Sequence, residues 1–351
     1  MISKLIRISP AFLVGLFLAG AIAGAARAGA PEPASAGTTT VKLGMVGRPD
    51  IAAYMLAIRR GYFAKQGIEI EPVLATSGQL FAAQLATNQI QVASGVPNAA
   101  LFNALNRGID IRIVADEAHI ADASDRTVSI MVRSELIESG AVKGPADLKG
   151  RRYAPGPVSG QYPDVLFHKL FARGGFTEAD ATAVHLAFPD ALAALATKQI
   201  DSAFLIEPLV RQAEDRKIAR VLFTAGQIDP GAETSILQYS AAFAKQTEMA
   251  VRFMVAYLEG ARDYYDAIFL KKDRDAALDI LVKDTPLKDR KIWEEDMFRH
   301  TDLNGHVNVA DLESQAAFYK EQGTLSGPIP DIAKYVDMSF AEAAIKRIGA
   351  R

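Results

Sequence analysis

The chain of 351 residues carries 39 Lys and Arg against 41 Asp and Glu, is 50% hydrophobic and contains no cysteine. That near-balance gives a polyanion nothing to steer toward, so no nucleic acid partner is expected, and the missing thiols exclude disulfides and thiolate metal sites. A chain this long exceeds what one hydrophobic core usually fills, which predicts two lobes.

Lys4 and Arg7 precede an apolar run from Ala11 to Ala26 that closes in small residues around Ala28 and Ala30. Residues 1–30 therefore read as a cleaved export signal, which places the remainder in the periplasm. A membrane anchor is the competing reading, but the run is short, holds three glycines and offers no Cys for a lipid. Residues 31–40, rich in Pro, Ala, Ser and Thr, form a loose leader.

Thr40 to Val46 predicts the first buried strand, followed by the loop Gly47-Arg48-Pro49-Asp50 and a helix through Ala52 to Arg60. A second strand runs from Ile68 to Leu74, and Thr76-Ser77-Gly78-Gln79 opens another helix, a βαβ rhythm with short connections. Residues 90–94 and 109–115 add strands, with a helix from Asn98 to Arg107 between them, and the first lobe closes near residue 125. The second lobe opens with a strand over Thr127 to Arg133. Gly156 to Tyr162 leads into a helix from Asp164 to Arg173, Val184 to Leu186 reads as a strand, and Ala191 to Thr197 as a helix before the strand Ser202 to Ile206. Residues 234–242 return the chain to the first lobe.

The two halves echo each other. QLFAAQLATNQIQVASG at 79–95 and DALAALATKQIDSAFLIE at 190–207 both end a helix at Leu-Ala-Thr-Xaa-Gln-Ile and enter a strand, which points to duplicated architecture. Beyond residue 245, amphipathic helices over Glu248–Ile268, Asp273–Lys283, Leu287–Met297 and Asp311–Glu321 read as cover for the sheets and domain joints. Arg252 and Arg262 are read as the solvated face of the first, Tyr257, Tyr264 and Tyr265 as its packed face, and Phe340–Ile348 as a peripheral helix.

The sequence holds no nucleophile elbow, dinucleotide fingerprint or phosphate loop, and its five histidines do not fall at metal-ligand spacing. Asp302, His306 and Asp311 flank an Asn304-Gly305 turn and read as a solvated loop. Binding is therefore favoured over catalysis, with no cofactor and no metal. The candidate binding elements are the loops at the carboxyl ends of strands, where helix N-termini favour negative charge. Hydroxyls of Ser77, Ser94 and Ser159 suit a carboxylate, sulfonate or phosphate that Arg48 would neutralise, while Tyr54, Tyr162 and Phe188 would wall its apolar part. Each serine serves equally as a helix cap, and each aromatic is more often core, so only their convergence from both lobes makes a site.

The stretch Ala57-Ile58-Arg59-Arg60-Gly61-Tyr62-Phe63-Ala64-Lys65-Gln66-Gly67-Ile68-Glu69-Ile70 resembles a phrase of the periplasmic substrate-binding proteins of nitrate, sulfonate and taurine ABC importers, a family that includes thiamine-precursor binders. The resemblance covers residues 41–325 and implies an α/β, two-lobed type II binding-protein fold with two hinge crossovers and C-terminal helices packed on the first lobe. It implies a first lobe of 41–126 and 230–351 and a second of 127–229. Carried over residue by residue, the ligand loops are Gly47 to Ile51 (with Arg48, Pro49 and Asp50), Gly78-Gln79, Ser94-Gly95-Val96, Ser159-Gly160-Gln161 and Ile206-Glu207-Pro208, the last with Ile206 where Trp is common. Thr87-Asn88-Gln89-Ile90-Gln91 stands where the family often shows Ser-Gly-Xaa-Xaa-Asp, whereas the second lobe keeps Asp201. Asp201 and Glu207 are expected to position backbone and hinge as often as they touch ligand.

The implied function is a monomeric solute-binding subunit that captures a small organic anion and delivers it to an inner-membrane permease and its ATPase. The alternatives are a binder of a thiamine-precursor pyrimidine, a periplasmic sensor and, behind these, a pyrimidine-precursor enzyme, whose branch carries a cysteine-rich segment that this chain lacks.

Overall fold

Strand β1 (Thr39–Val46) buries Val41, Leu43 and Met45 on alternation, and it pairs in parallel with β2 (Ile68–Ala75) over its full length, Thr39 opposite Ile68 and Val46 opposite Ala75. The computed structural model describes residues 37–46, 51–75, 78–285, 287–294 and 299–351. The export signal expected over residues 1–30 lies outside them, as do Gly47 to Asp50 and Thr76-Ser77.

Strands β3 (Val92–Gly95), β4 (Ile111–His119) and β10 (Glu233–Ser240) complete the first sheet in the order β2-β1-β3-β10-β4, with β10 antiparallel to both neighbours. The second sheet has the order β7-β6-β8-β5-β9, from β5 (Val128–Arg133), β6 (Arg152–Ala154), β7 (Thr182–Ala183), β8 (Ser202–Ile206) and β9 (Ala219–Thr224), and here β5 is the antiparallel member. Each sheet thus receives, second from one edge, the strand that has just crossed from the other lobe. The two crossings, 120–127 and 225–232, touch closely, because a side chain on Gly226 would come within 1.9 Å of the Asp122 carbonyl oxygen.

The internal echo holds bond for bond. Thr87 and Thr197 donate their hydroxyls to the carbonyls of Ala83 and Ala193 at 3.1 and 3.0 Å. Asn88 and Lys198 then adopt positive φ angles of 55° and 63°, the left-handed turn that ends each helix. Gln89 and Gln199 donate backbone N–H groups back to Gln84 and Ala194, both at 2.9 Å.

The helix Thr247–Ile268 lies across the helix Ala52–Arg59, and at their crossing Gly260 approaches so closely that a Cβ would stand 2.6 Å from the Ala53 carbonyl oxygen. Tyr54 packs on Tyr257 with ring centroids 5.2 Å apart, and Phe63 on Phe253 at 4.9 Å. Each such fully buried aromatic contributes roughly 1.5–3 kcal/mol over leaving it exposed. The helix Val309–Glu321 touches both lobes, Tyr319 against Phe102 and Phe318 against His168.

Several expectations are corrected. The strand expected at Val184–Leu186 lies at Thr182–Ala183, although the backbone N–H groups of Val184 and Leu186 still bond to Tyr153 and Gly156. Arg252 and Arg262 are half-buried rather than a solvated face: Arg252 donates to the Gln66 carbonyl at 3.0 Å, and Arg262 donates to Leu303, Asn304 and Gly349. The helix Ser339–Ile348 is not peripheral, because Ala341 and Ala344 are fully enclosed and Phe340 packs on Tyr239. Helix Leu209–Asp215 and strand β9 were not anticipated, since the charges from Arg211 to Lys217 hide the period of the helix.

Candidate ligand-binding site

Alternation along β8 sends Ala203 and Leu205 into the core of the second lobe and Phe204 and Ile206 toward the first. Phe188 opens the helix Phe188–Ala196, and Tyr162 and Pro163 open the helix Tyr162–Arg173, so all three reach the same space from the same lobe. Opposite them stand Val96 and Pro97 after β3, Thr234 on β10 and Arg299. Together with Gln161 these residues enclose a crevice of about 80 Å³ between the lobes.

The walls are apolar and aromatic. Phe188 and Phe204 lie 5.6 Å apart at 35°, and Tyr162 meets Phe204 edge-on at 6.5 Å. The polar groups are few and sit together. Arg299 donates from Nη1 to the Thr234 hydroxyl at 2.7 Å, and that hydroxyl donates to the Ala118 carbonyl at 2.8 Å. The Tyr162 residue is only 7% exposed, and its hydroxyl has no hydrogen-bond partner. Burial pushes its pKa well above the ordinary phenol value, so it remains a neutral donor. A guanidinium and an unspent phenol beside aromatic walls suit a solute with one anionic end and an apolar body. Among the described residues none that lines the crevice is a carboxylate, and those of Asp229, Asp311 and Asp125 act on Tyr162 from behind the wall.

The lobes touch beside this crevice. The Ala99 N–H at the start of the helix Ala99–Asn106 donates to the Gly160 carbonyl at 3.0 Å, and Gly160, at φ +81°, has no room for a Cβ, which would meet that of Ala99 at 2.9 Å.

Of the residues singled out in the sequence, Val96, Gln161, Tyr162, Phe188 and Ile206 line the crevice. Arg48, Pro49, Asp50 and Ser77 lie outside the described residues, as does the Gln79 side chain. Gly78 begins a short turn beside Val96. Tyr54, expected as a wall, and Ser94, expected as a donor to the anion, are corrected, because both are buried and give their hydroxyls to Glu117, which also accepts from Ser235. Gly95 packs against Gln238 and accepts from Ser235 at its carbonyl. Ser159 and Gly160 face a separate cavity of about 160 Å³, where the Ser159 hydroxyl meets His185 Nε2 at 3.2 Å. Glu207 takes the Arg211 N–H at 3.1 Å at the start of the helix Leu209–Asp215, and burial pushes its carboxyl up to about 7.

Arg299, Thr234, Pro97, Pro163 and Phe204 were not anticipated. Phe204 was legible as the inward partner of Ile206 two residues on, whereas nothing in the local sequence of Arg299 distinguishes it from a surface cation. Asp302 and His306 pair with each other at 3.2 Å, but Asp311 is elsewhere, accepting from the Glu233 N–H. Among the described residues no group of His, Asp and Glu could hold a metal ion, and no helix is long and apolar enough to cross a membrane.

The profile of the family described as NMT1/THI5 like matches residues 48–267, well over half of the chain. The chain belongs to the NMT1/THI5-like family. Its α/β two-lobed architecture is that of the periplasmic binding proteins SsuA and NrtA. The alkanesulfonate-binding protein SsuA from Xanthomonas axonopodis pv. citri, bound to MOPS, superposes with a TM-score of 0.65 at 18% identity, covering 86% of this chain and 99% of that one. The periplasmic nitrate-binding protein NrtA from Synechocystis PCC 6803 gives 0.70 at 16% identity, covering 90% of both chains. A cysteine-to-serine mutant of DSZB in complex with biphenyl-2-sulfinic acid gives 0.62 at 15%, covering 88% of this chain and 99% of that one. No curated protein matches this NMT1/THI5-like chain.

Proposed function

We propose that this protein is the solute-binding subunit of an ABC importer, and that it captures a small organic anion between its lobes and hands it to a membrane permease driven by an ATPase. The observation that carries the reading is the convergence of Arg299 from one lobe and Tyr162, whose hydroxyl is buried and unspent, from the other on a single aromatic crevice. Closure adds the contacts of the second lobe, so binding energy shifts an open-to-closed equilibrium and performs no chemistry. One chain supplies both jaws, so a monomer suffices, and residues 1–30 would send it to the periplasm.

A binding role is favoured over catalysis although the fold also serves the desulfurization enzyme DSZB. The complex of that enzyme was obtained with a cysteine replaced by serine, and this sequence contains no cysteine. The aromatic pair Phe188 and Phe204 supports a second reading, a flat heterocycle such as a thiamine-precursor pyrimidine held by stacking.

Native mass spectrometry of the freshly purified protein, with identification of the extracted molecule, tests both readings. One organic acid or sulfonate per chain supports the anion, and a neutral pyrimidine moves the assignment to the second reading. An empty protein that is also not stabilised by sulfonates, carboxylates or nitrate in a thermal-shift series counts against anion capture.

A further inference from the structure

Behind the crevice, Asp116 of β4 and Glu233 of β10 are enclosed, with 0% and 1% exposure. Asp116 Oδ2 accepts the Asp302 N–H at 2.5 Å and faces His119 Nδ1 at 3.1 Å, while Glu233 Oε1 accepts the Asn308 N–H at 2.6 Å. Their other oxygens, Asp116 Oδ1 and Glu233 Oε2, are both buried and without a hydrogen-bond partner, and Asp116 stands close enough to act on the Glu233 carboxyl, within reach of a hydrogen bond should one of the two carry a proton. Ionised carboxylates only accept, so such a contact requires a proton between them, and two ionised carboxylates side by side in a dry interior would repel.

We propose that Glu233 keeps its proton at neutral pH and shares it with Asp116 in a hydrogen bond, so that the two side chains act together as positioning residues for Arg299. The role assigned to Arg299 rests on the anion reading above. The connection is short: Arg299 bonds to Thr234, the residue after Glu233, and the His300 carbonyl accepts the His119 N–H at 3.0 Å. The acid pair ties the same segment down at Asp302 and again at Asn308. Removing the proton sets two like charges against each other, and because each holds the 299–308 segment, separating them moves the segment that carries the guanidinium.

The groups around the pair favour keeping the proton. Glu117 and His119 come from β4, Tyr257 from the helix Thr247–Ile268, Arg299 and Asp302 from the C-terminal segment, and Asp311 from the helix Val309–Glu321. Glu117 is committed to three hydroxyls, and Asp311 to the Glu233 N–H and Gln315. The acids outnumber the basic side chains His119 and Arg299, and burial with the neighbouring Asp116 holds the Glu233 carboxyl well above the usual carboxylate range.

Infrared spectra of the full-length protein at about pH 8, where exposed carboxyls are ionised, test the shared proton. The expected result is a carbonyl band from a protonated carboxyl that disappears in Glu233→Gln and shifts in frequency in Asp116→Asn, which removes the acceptor carboxylate. Amide hydrogen exchange at Asp302 and Asn308, corrected for the intrinsic pH dependence, tests the positioning role. Protection should fall in the wild type between about pH 7 and pH 10 and stay level in Glu233→Gln. Absence of the band overturns the shared proton, and a band with level wild-type protection overturns the positioning role. Both wild-type measurements decide even if a variant does not fold. Failure of every anion to bind would instead overturn the reading of Arg299 and leave the band in place.

Discussion

Gln91 and Asp201 hold the same position in the two lobes and make the same bond: Gln91 Oε1 accepts the Lys42 N–H at 2.9 Å, and Asp201 Oδ2 accepts the Arg152 N–H at 2.9 Å. Their own N–H groups return to the carbonyls of the same residues, Lys42 at 3.1 Å and Arg152 at 2.8 Å. Asp201 does more, because its second oxygen takes Arg133 at 2.6 Å with both side chains only 12% exposed. Asp201→Ala leaves a nearly buried guanidinium without that carboxylate and should cost roughly 2–4 kcal/mol, whereas Gln91→Ala, at a half-exposed site, should cost about 1 kcal/mol. Urea unfolding of the two variants checks the ranking, and equal costs would show that the Arg133 contact adds nothing.

Arg299→Gln should weaken binding of an anionic solute by roughly 10- to 100-fold, the value of a charge-assisted hydrogen bond, and leave a neutral isostere nearly unaffected. Calorimetry with the molecule recovered from the purified protein and its neutral analogue makes the comparison. Equal losses for both would mean that Arg299 shapes the crevice without reading charge. Arg48→Ala, in the same measurement, tests the cation that the sequence singled out.

Gly160→Ala acts on closure. The positive φ costs any L-residue roughly 1–2 kcal/mol, and the added methyl meets Ala99 only while the lobes touch. Solute affinity should fall by about tenfold, and the radius of gyration of the ligand-free protein should rise in X-ray scattering. An unchanged radius with unchanged affinity would remove the Ala99 to Gly160 contact from the closing mechanism.

Glu207 predicts a pH dependence of stability. Its folded pKa, raised by burial to about 7, lies above the ordinary value, so the folded chain holds the proton more tightly. The stabilising contribution of that proton is complete below about pH 4 and is lost as pH rises through about 7. Glu207→Gln keeps an oxygen for the Arg211 N–H and should flatten this decline, leaving the variant the more stable protein at about pH 8. Denaturant midpoints at acidic and alkaline pH give the two slopes, and parallel slopes would place the titrating group elsewhere.

The strands β1, β2, β5 and β8 and the duplicated helix ends were legible because each depends on local periodicity or on short turn chemistry. Leu-Ala-Thr-Xaa-Gln-Ile marked two helix ends, which close in left-handed turns at Asn88 and Lys198, whereas the helices expected from Asp164 and Ala191 begin earlier, at Tyr162 and Phe188, because a proline follows each aromatic and suits the first turn. Tyr54 and Ser94 misled because their partner, Glu117, lies 63 and 23 residues away and no spacing rule connects them. Arg299 was hidden for the same reason: its place in the crevice depends on the tethering of residues 300–308 to β4 and β10, a tertiary fact. Strand β9 was missed because an edge strand with half-exposed residues carries little of the alternation that marks a buried one.

The position of β10 sets an order of assembly. The second sheet is drawn from one continuous stretch, Val128 to Thr224, and can close as soon as that stretch is available. The first sheet cannot: β3 and β4 do not pair with each other, and the gap between them stays open until Glu233–Ser240 arrives from beyond the other lobe. A chain threaded N-terminus first therefore completes its later lobe before its earlier one. In the interval the facing edges of β3 and β4 are unsatisfied, and that is when the protein is most open to pairing with a stray strand.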